Sequence, residues 1–234
     1  MKLLIFLAVW KRPEITEICF MSINRLQKVK EFDIKGFAVI SEESMIPLCE
    51  KYGILWCMHE NLPLGKKKNF GVQKALEYDF EYLIEIGSDD ILKTEILQAY
   101  KWNAPVIGLM EFALLNTKNG DCKYIKTNAP KFGAGRAIKR EALEACKLWP
   151  DNVNQGMDNK SNFQLARNGF MAKGIRSDDP LVVALKSDTN IWPYKDIQGH
   201  KFSIEQTLNG LSTEEKTAIQ CLIIKNKSAS LTGA

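Results

Sequence analysis

The sequence has 234 residues, of which 45% are hydrophobic and 26% are charged, and its formal net charge is +4. These values are those of an ordinary globular protein with one sizeable core, so we expect one domain, or one domain with a small appendage. A charge of +4 is too small to indicate a dedicated nucleic-acid-binding protein, although it does not oppose a polyanionic partner.

The first apolar run is short. It covers residues 3–10, ends in Lys11-Arg12-Pro13 and is not followed by a small-x-small cleavage pattern, so we interpret it as a buried strand and not as a secretion signal. No stretch approaches the ~20 apolar residues that a membrane span needs. The six cysteines form no C-x-x-C pair, and several fall on apolar faces, which is typical of reduced core cysteines. The sequence thus predicts a cytoplasmic protein.

Apolar strands alternate with amphipathic helices in the first half of the chain. This alternation is typical of strand–helix units that build a mostly parallel sheet. Pro13 suits the first turn of a helix, Thr94 suits an N-cap, and Gly53 suits the left-handed position after a helix. The predicted strands are 3–9, 36–41, 54–59, 82–87 and 105–110, and the predicted helices are 13–26, 45–53, 65–79 and 94–102.

A hairpin signal and a capping signal mark the second half. Asn119-Gly120 between two alternating arms predicts a β-hairpin. Ser212-Thr-Glu-Glu215 is a capping box that opens a last helix through Ile224, and the polar tail after it is predicted to be flexible. The other predicted elements are strands at 135–139 and 181–186 and helices at 141–148 and 161–168.

Polar residues follow three of the predicted strands. In an open parallel sheet, ligands bind beyond the carboxyl ends of the strands, where loops and helix amino-termini converge. A basic turn, an acidic turn and a double carboxylate at one rim suit a nucleotide with its phosphates and a divalent cation. The three groups are Trp10, Lys11 and Arg12, then Ser41, Glu42 and Glu43, and then Asp89 and Asp90.

The acid pair raises the question of its counter-charge. Two adjacent carboxylates near the end of a buried strand repel each other unless a cation or water neutralises them. Mg²⁺ and Mn²⁺ prefer carboxylate oxygens, and the pair plus a diphosphate and water would complete their coordination. The alternative is that Asp89 and Asp90 only cap or solvate a turn.

A second charged segment lies just upstream. Gly65 precedes a helix whose first turn bears Lys66, Lys67, Lys68 and Asn69. Exposed amides and cations at such a position are able to hold a phosphate or a base edge. The alternative is an ordinary solvated face.

Together these segments resemble the nucleotide-sugar-binding half of family-2-like glycosyltransferases of the GT-A fold. Asn69-Phe70-Gly71 matches the N-x-G of a helix that precedes the metal-motif strand in that family. Ser88-Asp89-Asp90 lies at the Asp-x-Asp metal motif, with Gly87 where the first aspartate would stand. The resemblance implies that Asp89, assisted by Asp90, holds Mn²⁺ or Mg²⁺.

The resemblance continues into the second half. Residues 132–145 are similar to the strand–turn–helix segment after the metal motif, and residues 156–169 resemble the family's Glu-Asp motif. This similarity implies that Asp158 is the general base that takes a proton from the acceptor. The alternative is that Asp158 is a helix cap that bonds backbone amides near Ser161.

A loop with Trp, Pro, Tyr and Gly follows the strand at 181–186. The resemblance implies that this loop closes over the diphosphate, with Lys186 nearby and His200 completing the metal shell. The alternative for His200 is an exposed side chain without a ligand. Trp192 and Tyr194 would either stack on a sugar or base, or pack in the core.

The fold implied is α/β, a GT-A-like single domain with a mostly parallel central sheet flanked by helices and a small antiparallel hairpin. The domain would span 1–225, with a nucleotide-binding half at 1–110, an acceptor-side half at 111–211, the last helix at 212–225 and a flexible tail at 226–234. The nucleotide would be held by Val9, Trp10, Arg12, Glu42, Lys68, Asn69, Ser88 and Lys186.

The implied reaction is transfer of a sugar, with inversion, from a UDP- or GDP-linked donor to a hydroxyl acceptor. The acceptor stays open between a glycan, a lipid-linked sugar, a protein and a modified nucleic acid. One alternative is a nucleotidyltransferase of the same fold, although those enzymes usually carry a glycine-rich loop after the first strand and Trp10–Glu14 has no glycine. The other is a non-catalytic binding protein, because the first aspartate is missing.

Overall fold

Two β-sheets form the framework of this computed structural model, which describes residues 1–187 and 194–232. The strands are β1 Lys2–Val9, β2 Asp33–Ile40, β3 Ile54–Met58, β4 Tyr82–Gly87, β5 Asp90–Leu92, β6 Val106–Leu109, β7 Glu111–Asn116, β8 Cys122–Lys126, β9 Arg136–Lys139, β10 Ala172–Ile175, β11 Val182–Lys186 and β12 His200–Phe202. The helices are α1 Pro13–Gln27, α2 Ile46–Lys51, α3 Leu64–Ala75, α4 Ile96–Tyr100, α5 Arg140–Ala145, α6 Met157–Arg167, α7 Ile204–Leu208 and α8 Thr213–Thr232. Single 3-10 turns lie at Glu43–Met45 and Tyr194–Asp196.

The larger sheet has the strand order β10-β6-β9-β4-β1-β2-β3. Strands β1 to β4 pair in parallel, β10 pairs with β6 in parallel, and only β9 runs antiparallel to its two neighbours. The predicted mostly parallel central sheet is therefore confirmed.

Strand β1 lies in the middle of this sheet and contributes to two hydrophobic clusters. Leu3, Ile5 and Leu7 pack on the side of α1, whereas Leu4 and Phe6 pack on the side of α3. A parallel strand covered by helices on both faces needs a continuous apolar sequence, which is what residues 3–9 supply. Within the described residues, no helix has both the length and the apolar composition of a membrane span.

The second sheet is larger than the hairpin that the sequence predicts. The Asn119-Gly120 turn does join β7 to β8, and Gly120 takes the left-handed conformation with φ +82°. The hairpin is part of a five-stranded sheet with the order β12-β8-β7-β11-β5. Strands β5 and β12 have three residues each and β10 has four, so their local sequences carry little strand signal and only pairing with a neighbour defines them.

Several helix boundaries differ from the predicted ones. Helix α6 begins at Met157 rather than Ser161, and α8 continues to Thr232 rather than ending near Ile224. No glycine or proline interrupts residues 213–232, so most of the segment predicted as a flexible tail continues the helix. Helix α7 was not predicted, although Ser203 caps it by accepting a bond from the Gln206 amide at 3.0 Å.

Arg25 on α1 joins three segments that are distant in sequence. Its guanidinium donates from Nε to both carboxylate oxygens of Glu215 (3.0 and 3.1 Å) and from Nη2 to the Leu92 carbonyl (2.6 Å). Glu215 is 1% exposed and also closes the predicted capping box, accepting from the Ser212 amide at 2.6 Å. Arg25 therefore anchors the start of α8 to α1 and to the end of β5.

We expect Arg25→Ala to lower the free energy of unfolding by about 2 to 3 kcal/mol, because it leaves the Glu215 carboxylate buried without its charge partner. Urea denaturation measures the change. The control is Lys101→Ala, which removes an exposed ion pair with Glu31 and should cost less than about 1 kcal/mol. Equal losses for the two variants would contradict this account.

Candidate active site

The acid pair lies where the chain passes from one sheet to the other. Strand β4 of the larger sheet ends at Gly87, and β5 of the smaller sheet begins at Asp90. Asp89 and Asp90 are only 8% and 5% exposed. They face a cavity of about 220 Å³ that is also lined by Glu85, Gly133, Asp158 and Lys186.

The two carboxylates occupy the space beside Gly87. A Cβ built on Gly87 would lie 2.6 Å from Asp89 Oδ1 and 3.0 Å from Asp90 Oδ2, which is too close for at least the first of these atoms. Both carboxylates therefore lie over the bare Cα of Gly87, and Asp90 Oδ2 also accepts a bond from the Gly87 amide at 2.6 Å. A side chain at position 87 would thus displace the carboxylates from this arrangement.

Lys186 is the main counter-charge of Asp89 among the described residues. Strand β11 runs antiparallel to β5, and the Leu185 amide donates to the Asp89 carbonyl at 2.8 Å. This register puts Lys186 next to Asp89, with Nζ 3.2 Å from Oδ2. Burial alone would lower the pKa of Lys186, but Asp89 and Asp90 outweigh it and hold that pKa above its usual value. The ammonium is therefore charged at neutral pH.

Burial affects the Asp90 carboxyl more than any neighbouring charge does. Burial, followed by the charge of Asp89, raises the pKa of Asp90 to about 7. The charge of Lys186 and the bond from the Gly87 amide oppose this rise. Asp90 is therefore only partly ionised near neutral pH.

Arg12 supplies the second cation beside Asp89. Lys11 and Arg12 both have left-handed backbones, with φ of +55° and +54°, and this unusual turn swings the chain from β1 into α1. The guanidinium donates from Nη2 to Ser88 Oγ at 3.2 Å and places Nη1 3.7 Å from Asp89 Oδ2. Nη1 is buried and has no hydrogen-bond acceptor among the described residues. Arg12 Nη1 therefore interacts with Asp89 through its charge and without a hydrogen bond.

Asp158 reaches the cavity from the first turn of α6. The N-cap of that helix is Gly156, with φ +66°, so Asp158 is not the capping residue. The Ser161 hydroxyl Oγ donates to the backbone carbonyl of Asp158 at 3.1 Å, so this bond does not involve the Asp158 carboxylate. A Cβ on Gly133 would lie 2.5 Å from Asp158 Oδ1, so the carboxylate packs directly against the glycine. The structure thus brings Asp158 to the same cavity as the acid pair.

A buried ion network, which the sequence interpretation missed, surrounds Glu85. Glu85 on β4 pairs with Lys68 on α3 and with Arg136 on β9. Burial alone would raise the pKa of Glu85, but the two cations outweigh it and hold that pKa below its usual value. A glutamate inside the apolar strand 82–86 was the available sequence signal.

This network also positions Asp158. Arg136 donates from Nη2 to Ser161 Oγ at 2.6 Å and from Nη1 to Asn162. Both partners lie in the first turns of α6, a few residues after Asp158. The Glu85–Arg136 pair therefore fixes the start of the helix that carries the proposed base.

Lys68 lines the same cavity as the acid pair, so its predicted contact with a nucleotide stays a prediction. Its ammonium lies 4.3 Å from the centroid of the Trp149 ring and shares the Glu85 carboxylate with Arg136. The residue is 8% exposed, whereas the sequence predicted an exposed first turn.

The neighbouring Lys67 supports the turn after β1. Lys67 is completely buried, and Nζ donates to the Val9 carbonyl at 2.6 Å and to Asn61 Oδ1 at 3.4 Å. Burial lowers the pKa of Lys67 to about 8. The Val9 carbonyl is therefore already bonded to Lys67, and a nucleotide that contacts this carbonyl would have to share it with the lysine.

Trp10 and Glu42 flank the same turn from outside. Trp10 is 44% exposed, and Lys11 Nζ lies 4.4 Å from its ring centroid. Glu42 Oε2 accepts from the Lys11 amide at 3.0 Å. Both predicted residues are thus on the surface of the β1 turn, with an exposed aromatic face.

Asn69 does not line the acid cavity. Its side-chain amide donates to the Trp149 carbonyl at 2.7 Å and to Asp151 Oδ1 at 2.9 Å. A Cβ on Gly71 would lie 2.2 Å from Val39 Cγ2, so that glycine lets α3 pack closely on the sheet. In this chain the N-x-G segment therefore packs α3 between the sheet and the loop after α5.

The structure does not bring His200 to the acid pair, which corrects its predicted place in a metal shell. His200 lies on β12, the edge strand at the opposite side of the sheet from β5. Four strand spacings separate the two strands, roughly 19 Å. Tyr194 packs on the core and against Lys123, whereas Trp192 lies outside the described residues.

The predicted Mn²⁺ or Mg²⁺ fits this site in one respect. Asp89 Oδ1 and Asp90 Oδ2 converge over Gly87, a space that a Cβ would fill, and they are the oxygen ligands such ions prefer. No group of three or more His, Cys, Asp or Glu residues suited to a metal occurs within residues 1–187 and 194–232. The remaining ligands would have to come from a diphosphate and water, so the cation stays a prediction.

Solved structures similar to this chain identify its fold. The S. aureus TarS structure has a TM-score of 0.57 and 14% identity, covering 98% of this chain and 44% of TarS. A TarS 1–349 structure has a TM-score of 0.53 and 12% identity, covering 97% and 71%. The inositol-1-phosphate CTP transferase from T. maritima has a TM-score of 0.54 and 12% identity, covering 91% and 98%.

These identities show the fold and not the activity. This chain spans less than half of the TarS chain in the first of those structures. Neither a scan of protein-family models nor a search of curated proteins gave a match. Of these neighbours, the T. maritima protein is named as a CTP transferase. The chain therefore shares the fold of these structures, and the GT-A-like fold predicted from the sequence is confirmed.

We expect the stability of the protein to depend on Lys67 at alkaline pH. The pKa of Lys67 is about 8 in the folded chain and about 10.4 in an unfolded one, so the unfolded state binds more protons between those values. The free energy of unfolding of the wild type should therefore rise relative to Lys67→Met as pH increases from about 8 to 10. Urea denaturation at several pH values measures this difference, and a flat difference would contradict it.

We expect Gly133→Ala to destabilise the protein by about 1 to 3 kcal/mol, because the new methyl group overlaps the Asp158 carboxylate. The same substitution in an Asp158→Ala background should cost clearly less, since the overlapping oxygens are gone. Urea denaturation of the four proteins gives this coupling. Equal costs in both backgrounds would place the Asp158 carboxylate elsewhere.

Proposed function

We propose that this chain transfers a sugar from a nucleoside-diphosphate donor to a hydroxyl acceptor with inversion. The observation that carries the proposal is the shared cavity of Asp158, on α6, and the Asp89–Asp90 pair, between β4 and β5. Sugar transfer needs a base for the acceptor and a separate place for the leaving diphosphate. The two acidic groups come from different elements and are able to serve these two needs.

Asp158 would act as the general base. It accepts the proton of the acceptor hydroxyl as that oxygen forms a bond to the anomeric carbon. The bond from the anomeric carbon to the diphosphate oxygen breaks, and the nucleoside diphosphate leaves with the bonding electrons. The tight packing of Asp158 on Gly133, and the hold of Arg136 on the start of α6, would keep the carboxylate oriented for this step.

The other side of the cavity would hold the donor. Asp89 and Asp90 would bind Mn²⁺ or Mg²⁺, which neutralises negative charge on the diphosphate when it is bound. The Arg12 Nη1 group has a free donor for a phosphate oxygen within the described structure. The exposed ring of Trp10 and the nearby Glu42 would border the nucleoside.

A nucleotidyltransferase is the second candidate, supported by the fold shared with the T. maritima CTP transferase. Such an enzyme joins a nucleoside triphosphate to a phosphorylated substrate and releases pyrophosphate. The turn after β1 has no glycine and has left-handed Lys11 and Arg12, so it differs from the glycine-rich loop usual in those enzymes. A non-catalytic nucleotide-sugar-binding protein is the third.

The test is an assay of nucleoside diphosphate release from a panel of UDP-, GDP- and CDP-sugars with Mn²⁺, in which water serves as the default acceptor. At least one donor should release its diphosphate and raise the melting temperature of the protein when Mn²⁺ is also present. Pyrophosphate release from a nucleoside triphosphate and a sugar 1-phosphate would favour the second candidate. Binding of a donor without turnover would favour the third.

We expect Asp158→Asn to reduce sugar transfer at least 100-fold while leaving donor affinity within about twofold, because the base acts only on the acceptor. Isothermal titration with the active donor measures the affinity. The control is Asp178→Asn, an exposed acid outside the cavity, which should leave both quantities unchanged. Full activity of Asp158→Asn would remove Asp158 from the mechanism.

A further inference from the structure

The Lys186–Asp89 pair puts an ammonium group on the carboxylate that the expected cation would use. Lys186 Nζ lies 3.2 Å from Asp89 Oδ2, and the side chain of Lys186 is only 13% exposed. A cation that binds Asp89 must therefore compete with a lysine of the chain itself. This inference rests on the proposed function, because it concerns how the same site takes its donor.

Hydrogen bonds hold the backbone of Lys186, whereas its side chain is able to reach a second position in the cavity. The Thr117 amide and Thr117 Oγ1 both donate to the Lys186 carbonyl, at 2.8 and 3.0 Å. The amide of the preceding residue, Leu185, donates to the Asp89 carbonyl. Only the flexible four-carbon stem is thus able to move. Its end lines the cavity, so a small shift would carry the ammonium from Asp89 to a ligand there.

Charge balance favours joint binding of a cation and a diphosphate. Asp89, Asp90 and Asp158 already face Lys186 and Arg12 in or beside the cavity. A divalent cation alone would be attracted by the acids but opposed by Lys186 and Arg12, and a diphosphate alone would be attracted by these two cations but opposed by the acids. Together the two ligands cancel each other's charge.

We propose that Lys186 is a resident counter-ion of Asp89, that a divalent cation displaces it, and that the displaced ammonium then binds the donor diphosphate. Arg12 Nη1, which is buried 3.7 Å from Asp89 Oδ2 without a hydrogen-bond acceptor among the described residues, turns to the same diphosphate. The cation and the diphosphate therefore bind cooperatively. By linkage, each raises the affinity of the other by the same factor.

The first measurement is the affinity for Mn²⁺ alone. The electron paramagnetic resonance signal of free Mn²⁺ reports how much of the ion is bound. We expect Lys186→Met to bind Mn²⁺ at least about tenfold more tightly than the wild type, because no charged hydrogen bond has to be broken first. Asp89→Asn in the Lys186→Met background should abolish that increase. The control is Lys201→Met, an exposed lysine on β12, which should leave the affinity unchanged.

The second measurement repeats the Mn²⁺ titration with saturating UDP, CDP or GDP, corrected for Mn²⁺–nucleotide binding in solution. In the wild type the nucleotide should tighten Mn²⁺ binding, and in Lys186→Met that factor should shrink at least about fivefold. Circular dichroism checks that the variant is folded, and Lys186→Gln replaces it if it is not.

Equal Mn²⁺ affinities of wild type and Lys186→Met overturn the inference, even if sugar transfer is found. A coupling factor that does not change in the variant overturns the transfer of the ammonium to the diphosphate. Tighter Mn²⁺ binding by Lys186→Met, with no nucleoside diphosphate bound by either protein, overturns the proposed function and confines Lys186 to competition with the cation.

Discussion

The structure depends on how it neutralises negative charge at the end of β4. Asp89 and Asp90 are almost completely buried, and the carboxylates share the space above Gly87. Charges interact strongly in such a place because little water screens them. Lys186 from β11 and Arg12 from the turn before α1 neutralise this charge. These two elements come together only when both sheets are formed. The site and the junction between the sheets are therefore one feature.

The same strand repeats this arrangement at Glu85, four residues before Asp89. Its carboxylate is neutralised by Lys68 from α3 and Arg136 from β9, and Arg136 continues to the first turns of α6. Glu85 on β4 thus links three elements to this strand, namely α3, the antiparallel strand β9 and, through Arg136, helix α6 that carries Asp158. Buried ion networks of this kind are weak evidence for stability, but they fix geometry, because breaking one partner leaves an uncompensated charge. Fixed geometry is what the proposed transfer would need, because it would place a base opposite a leaving group.

Local signals predicted the parts of the fold that local forces decide. The apolar run at 3–9, the hairpin at Asn119-Gly120 and the capping box at 212–215 all occur in the structure as expected. Pairings across long sequence distances were not predictable in this way. Lys186 meets Asp89 because of the β11–β5 register, and nothing near residue 186 in sequence encodes that register. His200 was misplaced for the same reason, since a three-residue edge strand takes its position from β8.

Gly87 is the position at which the chain departs from the Asp-x-Asp motif that its sequence resembles. The sequence alone left open that the absent aspartate marks a binding protein without catalysis. In the structure, a side chain at position 87 would displace the carboxylates of Asp89 and Asp90, which lie over its Cα. The second carboxylate comes from the following residue, at the first position of β5. The chain therefore has two converging acids at the strand end, and its glycine leaves the space in which they converge.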